Sequence, residues 1–293
     1  MPKTTRYYLF FTLLLLLTAC SSIKKETEKS AIITVTIEPL RFFTEQIVGS
    51  KFNVVSMVPK GVSPETYDPT PKQLMELNKS TAYIQIGYIG FEQAWMEKIK
   101  ANTPNVRFFN ASEGIQFIYG EDHHHGDHTH HGGVDPHTWN STSNALLISK
   151  NILSFLKEID PDNFQEYQQN YYRLVQEIKE VEKSIQLKME NRTGEAFMIY
   201  HPALSYFARD YQLTQLSIEE EGKEPTPSHL KHLIDLCKRY NIQVIFVQPE
   251  FDHKNAELIA RETHTSIVSI NPLSYNWKEE MLTIANALSQ NHE

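Results

Sequence analysis

The sequence predicts an α/β protein, with two βα lobes built on parallel sheets and joined by one long helix. Three observations predict it. Short apolar, β-branched runs alternate with helical stretches up to Asn110, which is the rhythm of βα units. The same rhythm returns from Ala196 to Leu288. Between the two lies an amphipathic run from Asp160 to Asn191 that neither Pro nor Gly interrupts after Pro161.

Each element has a local reason. Ile32–Ile37 and Phe52–Val58 are β-rich runs, the second closed by Pro59-Lys60-Gly61. Thr70 caps a helix over Pro71–Asn78, with Pro at its first position. Ala82–Gly87 and Val106–Asn110 read as strands on either side of a helix from Phe91 to Lys100. Asp160-Pro161 opens the long helix. Its stripe of Phe164, Tyr167, Tyr171, Leu174, Ile178, Val181 and Ile185 keeps the three-four spacing of one helix face. About 30 residues at 1.5 Å each span about 45 Å, enough for a strut between two lobes. In the second lobe, Ala196–Tyr200, Gln243–Gln248 and Ser266–Ile270 read as strands. Helices are expected over Ala203–Tyr211, Thr226–Tyr240, Asn255–Glu262 and Trp277–Leu288.

The N-terminus is expected to be a leader. Lys3 and Arg6 precede an apolar run from Tyr7 to Leu17, the plan of a secretory signal. That run is shorter than the roughly 20 residues a membrane-spanning helix needs. The ending Leu17-Thr18-Ala19-Cys20 resembles a bacterial lipobox, which implies cleavage before Cys20 and lipid on its thiol. Cys237, the other cysteine, then has no intramolecular partner, and its helix stripe of Leu233, Leu236 and Tyr240 suits a small buried thiol. The expected division is a signal over 1–19, a lipidated polar tether over 20–30 and a first lobe over 31–159. A bridging helix over 160–192 and a second lobe over 193–293 follow. The formal charge of −8 falls to −10 when Lys3 and Arg6 leave with a leader that holds no acid. That surface argues against nucleic-acid partners and suits attraction of cations.

Six of the thirteen histidines fall within nine residues, His123, His124, His125, His128, His130 and His131, inside an expected loop over 121–133. Short His-rich tracts read as metal-binding, and imidazole suits zinc, copper and nickel. Three further stretches carry ligand-type residues near strand ends: Gly61–Pro71 with Glu65, Asp135–Trp139 with His137, and Tyr200–Phe207 with His201. Ligands in open α/β sheets gather at the carboxyl ends of strands. One Glu and two His are a plausible zinc shell.

Read in order, GVSPETYDPTP, DPHTW and HPALSYFARDYQL resemble the motifs of the zinc and manganese solute-binding proteins of bacterial ABC transporters, the ZnuA/TroA-like group. The resemblance covers the whole mature chain. It implies two Rossmann-like βα lobes bridged by one long helix, with a metal site in the interlobe cleft. His137 and His201 match metal ligands of that group. Glu65 stands at the first ligand position, where the group usually has His, and a carboxylate suits manganese as well as zinc. For the fourth ligand, Glu250, Asn271 and a water are candidates. Asp135 and Gln248 are candidates for orienting the imidazoles. His229, His232, His253, His264 and His292 read as surface residues.

The implied function is an extracytoplasmic lipoprotein receptor, monomeric and not an enzyme, that delivers Zn2+ to a membrane permease of an ABC importer. It would sit on a periplasmic face or a cell surface, and its closed form would be the one the transporter reads. A manganese- or iron-preferring receptor is the alternative within the group. A zinc-dependent hydrolase and a surface metal buffer or adhesin are alternatives outside it.

Overall fold

The computed structural model describes residues 31–120, 123–125, 128–130, 133–220 and 222–290, the two histidine segments in backbone only. The expected leader, Cys20 and the tether lie outside these residues, as do His131 and His292.

The first half is built from β1 (Ala31–Val35), α1 (Glu38–Val48), β2 (Phe52–Ser56), α2 (Pro71–Leu77), β3 (Ala82–Gln85), α3 (Gly90–Asn102) and β4 (Arg107–Asn110). Its four strands pair in parallel in the order β2-β1-β3-β4, with Ile33 set against both Val54 and Ala82. The central β1 has Ile33 and Val35 sealed from solvent, as a strand covered on both faces requires. Two three-residue strands, β5 (His123–His125) and β6 (His128–His130), pair antiparallel with His123 opposite His130.

The chain then crosses through α4 (Thr142–Ile159), a short 3-10 turn over Pro161–Asn163, and the bridging helix α5 (Phe164–Met189). The second half holds β7 (Ala196–Ile199), α6 (Ser205–Tyr211), β8 (Thr214–Ser217), α7 (Pro227–Arg239), β9 (Val244–Val247), α8 (Lys254–Thr263), β10 (Ser266–Ser269) and α9 (Trp277–Ser289). Its sheet is again parallel, in the order β10-β9-β7-β8.

The bridging helix packs on α1 and α4 of the first half and on α9 of the second. Its stripe of Tyr167, Leu174, Ile178, Val181, Ile185 and Met189 is buried. One apolar core therefore runs from β1 and α1 through α4 and α5 to α9, taking in Ile33, Phe43, Trp139, Ile178 and Trp277. A separate cluster, with Met198, Leu233, Cys237 and Ile259, covers the other face of the second sheet. The described residues from Ala31 onward form a single compact unit. Among the described residues no helix is long and apolar enough to cross a membrane.

Candidate metal centre

Four ligand-type side chains reach one pocket from four different connections. Glu65 sits in the β2–α2 loop, His137 in the crossover ahead of α4, His201 just beyond β7 and Glu250 just beyond β9.

His137 is held from both sides. Asp135 Oδ1 accepts the His137 backbone N–H at 2.9 Å and lies 2.8 Å from its Nδ1. Two residues on, the Trp139 indole is fully buried and donates to the Pro272 carbonyl at 2.8 Å. Trp277 in turn donates to the Trp139 carbonyl at 2.8 Å, and the Asn140 amide donates to the Ala203 carbonyl at 2.9 Å. The segment that carries His137 is thus fastened to the second half of the chain.

His201 is held by a reciprocal pair with Gln248. Its N–H donates to Gln248 Oε1 at 3.2 Å, and Gln248 Nε2 donates to its carbonyl at 2.7 Å. Gln248 therefore fixes the backbone of His201 and not its ring. The ring stacks on Phe251, with centroids 5.1 Å apart, and its Nδ1 lies 2.7 Å from Glu219 Oε1.

A carboxylate at Nδ1 fixes the tautomer of each ring with the proton on Nδ1. Both Nε2 lone pairs then face the pocket, and the two Nε2 atoms stand 3.1 Å apart. Two nitrogens bound tetrahedrally at about 2.0–2.1 Å from zinc would be about 3.3 Å apart, so the pair is already near that spacing. Burial opposes a charged His137, but the charge and hydrogen bond of Asp135 outweigh it and hold the imidazole above its ordinary pKa. Burial likewise opposes the Asp135 charge, and the nearby His137 outweighs it and holds that carboxyl below its usual range.

The carboxylates complete the lining. Glu65 Oε2 accepts the Gly90 N–H at 2.9 Å, at the start of α3, while its Oε1 is buried with no partner. Glu250 Oε1 is buried without a partner as well. Burial pushes the Glu250 carboxyl up, against the pull of its own backbone N–H and of His201. Among the described residues only two other buried side-chain atoms lack a partner, Gln85 Oε1 and His229 Nε2. Orphaned buried oxygens in a site lined by imidazoles ask for a cation. The cavity between them measures about 20 Å³, room for about one water-sized body. Among the described residues no group of three or more His, Cys, Asp or Glu side chains stands close enough to hold a metal ion. The imidazoles are paired, and the two carboxylates line the same pocket without closing on them.

Gly90 is required where it stands. A Cβ on it would lie 2.2 Å from the Glu65 carbonyl oxygen and 3.0 Å from Glu65 Oε2. Gly90→Ala is expected to push the Glu65 loop off the pocket and weaken metal binding about tenfold or more, while the core stays folded. Metal titration against a circular-dichroism melt checks this, and unchanged affinity would refute it.

The remaining ligand candidate and the outlying histidines fare differently. Asn271 is not in the pocket: its Oδ1 accepts the Leu273 N–H at 3.0 Å, and Pro272 and Leu273 form that wall instead. His229 lies 3.3 Å from Glu220, and its ring centroid is 6.5 Å from that of the exposed His232. His253 is more than a surface residue, because its Nε2 lies 3.0 Å from the Gln248 carbonyl and so braces the clamp on His201. The sequence reading missed Glu219. It is the first of three consecutive glutamates, 219–221, which the sequence alone does not tell apart.

The fold is shared with known proteins. The chain is 29% identical over 283 residues to the manganese ABC transporter substrate-binding lipoprotein scaA of Streptococcus gordonii, covering 91% of this chain and 88% of that one. It is 27% identical over 270 residues to the high-affinity zinc uptake system protein ZnuA of Bacillus subtilis (strain 168), covering 88% and 83%. A crystal structure of ZnuA superposes with a TM-score of 0.82 at 33% identity, covering 89% of this chain and 98% of the other. Residues 33–291 match the family model for the zinc-uptake complex component A, periplasmic. With that span matched and the same fold in place, the chain belongs to this family of substrate-binding receptors of metal ABC transporters.

Proposed function

We propose that this chain is a lipid-anchored, extracytoplasmic receptor that captures Zn2+ at Glu65, His137, His201 and Glu250 and hands it to the permease of an ABC importer. One observation carries the reading. Two carboxylate-oriented imidazoles with converging Nε2 atoms share a cavity of about 20 Å³ with the orphaned oxygens of two glutamates. A cavity of that size suits an ion as cargo, and the family of substrate-binding receptors to which the chain belongs favours a receptor over a hydrolase.

Cys20 would carry the lipid and residues 21–30 the tether, with the folded part acting as a monomer. The His-rich tract, His123, His124, His125, His128, His130 and His131, would gather zinc and raise its concentration near the cleft. Glu65 tempers the choice of metal. Two nitrogens and two carboxylates suit manganese as well as zinc, and scaA is named for manganese. The tract of imidazoles favours zinc for this chain.

The test is metal titration of chelator-stripped mature protein, with zinc and with manganese, beside a variant lacking residues 121–132. One tight zinc site in both forms, with weaker sites only in the unshortened chain, is the expected result. Preference for manganese in the shortened form would overturn the zinc reading, and absence of a tight site would overturn the receptor reading.

A further inference from the structure

The His-rich excursion leaves and rejoins the fold at a narrow stem. Gly120 N–H donates to the Gly133 carbonyl at 3.0 Å, Tyr119 bridges Val134, and Asp135 N–H donates to the Ile118 carbonyl at 2.9 Å. Asp135 is also the residue that holds His137. One side chain from the second half of the chain meets both strands of this stem. The fully buried Tyr206, in α6, accepts the Ile118 N–H at 3.2 Å and donates to the Asp135 carbonyl at 2.7 Å.

A neighbour reinforces that hold. Arg209 lies over the Tyr206 ring at 5.0 Å and donates to the Gln116 carbonyl at 3.0 Å. Tyr206 lies five residues beyond His201 in the same connection. A single phenol therefore ties the base of the His-rich excursion to the segment that bears one imidazole, and it does so through the residue that orients the other.

We propose that Tyr206 is a positioning residue for metal capture, registering the stem of the His-rich excursion and the Asp135–His137 pair against His201. It touches no metal. It acts through Asp135, and its hydroxyl serves at once as acceptor and donor, a double role that no other side chain fills at that length. The proposal rests on the cleft being the tight metal site.

The test uses the full mature chain and zinc alone, reading the dissociation rate of the tight site by chelator competition and the apo melting temperature. Tyr206→Phe removes only the hydroxyl. It is expected to speed zinc loss about tenfold, the usual scale for removing a group that orients a metal-binding His, with the number of bound equivalents unchanged. Tyr211→Phe is the control. Tyr211 is also in α6, and its hydroxyl lies 3.5 Å from that of Thr142 and away from the stem. It should lower the melting temperature as Tyr206→Phe does and leave the dissociation rate alone. Unchanged dissociation in Tyr206→Phe, or equal acceleration in both variants, would overturn the proposal. His201→Ala separates the two readings: if it too leaves the tight site intact, the cleft assignment has failed rather than the role of Tyr206.

Discussion

Replacing His201 by Ala is expected to abolish the tight metal site. If four ligands share the roughly 10–16 kcal/mol of a closed zinc shell, one is worth about 3 kcal/mol, or about a hundredfold in affinity. His137 Nε2, now 3.1 Å from His201 Nε2, loses the partner with which it would grip the ion. The buried Glu219 carboxylate is left facing a gap, so the apo fold should also weaken by about 1–3 kcal/mol. Isothermal titration beside a thermal melt separates the two effects. A tight site surviving in His201→Ala would show that the ion is held elsewhere.

Acid should have a related effect on the unsubstituted chain. Zinc needs the neutral imidazole, and His137 is held above its ordinary value of 6.5. Proton competition therefore sets in above pH 6.5 and deepens below it. For the metal-free fold the sign is reversed. A raised pKa gives His137 a stabilising contribution that is complete below 6.5 and fades as pH rises through the folded value.

The second large effect is expected at Trp139. Its indole has no solvent exposure, and its Nε1 donates to the Pro272 carbonyl from across the molecule. Trp139→Ala removes that donor and opens a large hole where the two halves meet. The cost is about 4 kcal/mol, which for a chain of this length corresponds to roughly 10 °C in melting temperature. Metal affinity should fall with it, because His137 is two residues away and its ring centroid lies 5.3 Å from that of Trp139. A shift of less than about 3 °C would mean that the junction is held by other groups.

Much of this architecture was legible in the residues, for physical reasons. The apolar stripe of the bridging helix keeps its period for about six turns, and strands such as Val244–Val247 are continuous apolar runs. What escaped the reading had weaker marks. The helix Glu38–Val48 has no side-chain cap and is buried on most sides, which blurs its period. The helix Thr142–Ile159 begins in a run of Ser, Thr and Asn that reads as loop, and Thr214–Ser217 is too short to show alternation. In the pocket, His137 and His201 stood in recognisable motifs. The roles of Glu219 and Gly90 were not legible, because they arise from contacts 18 and 25 residues away in sequence.

The core shared between the two halves has a consequence for the lifetime of the receptor. Because β1, the bridging helix and α9 bury one common set of side chains, neither half can open far without exposing the other. Loss of structure is then a property of the whole chain, and so is protection by cargo. An ion at a hundred times its dissociation constant adds about 2.7 kcal/mol to the stability of the entire fold. The metal-free form is thus expected to be the one that proteases reach first.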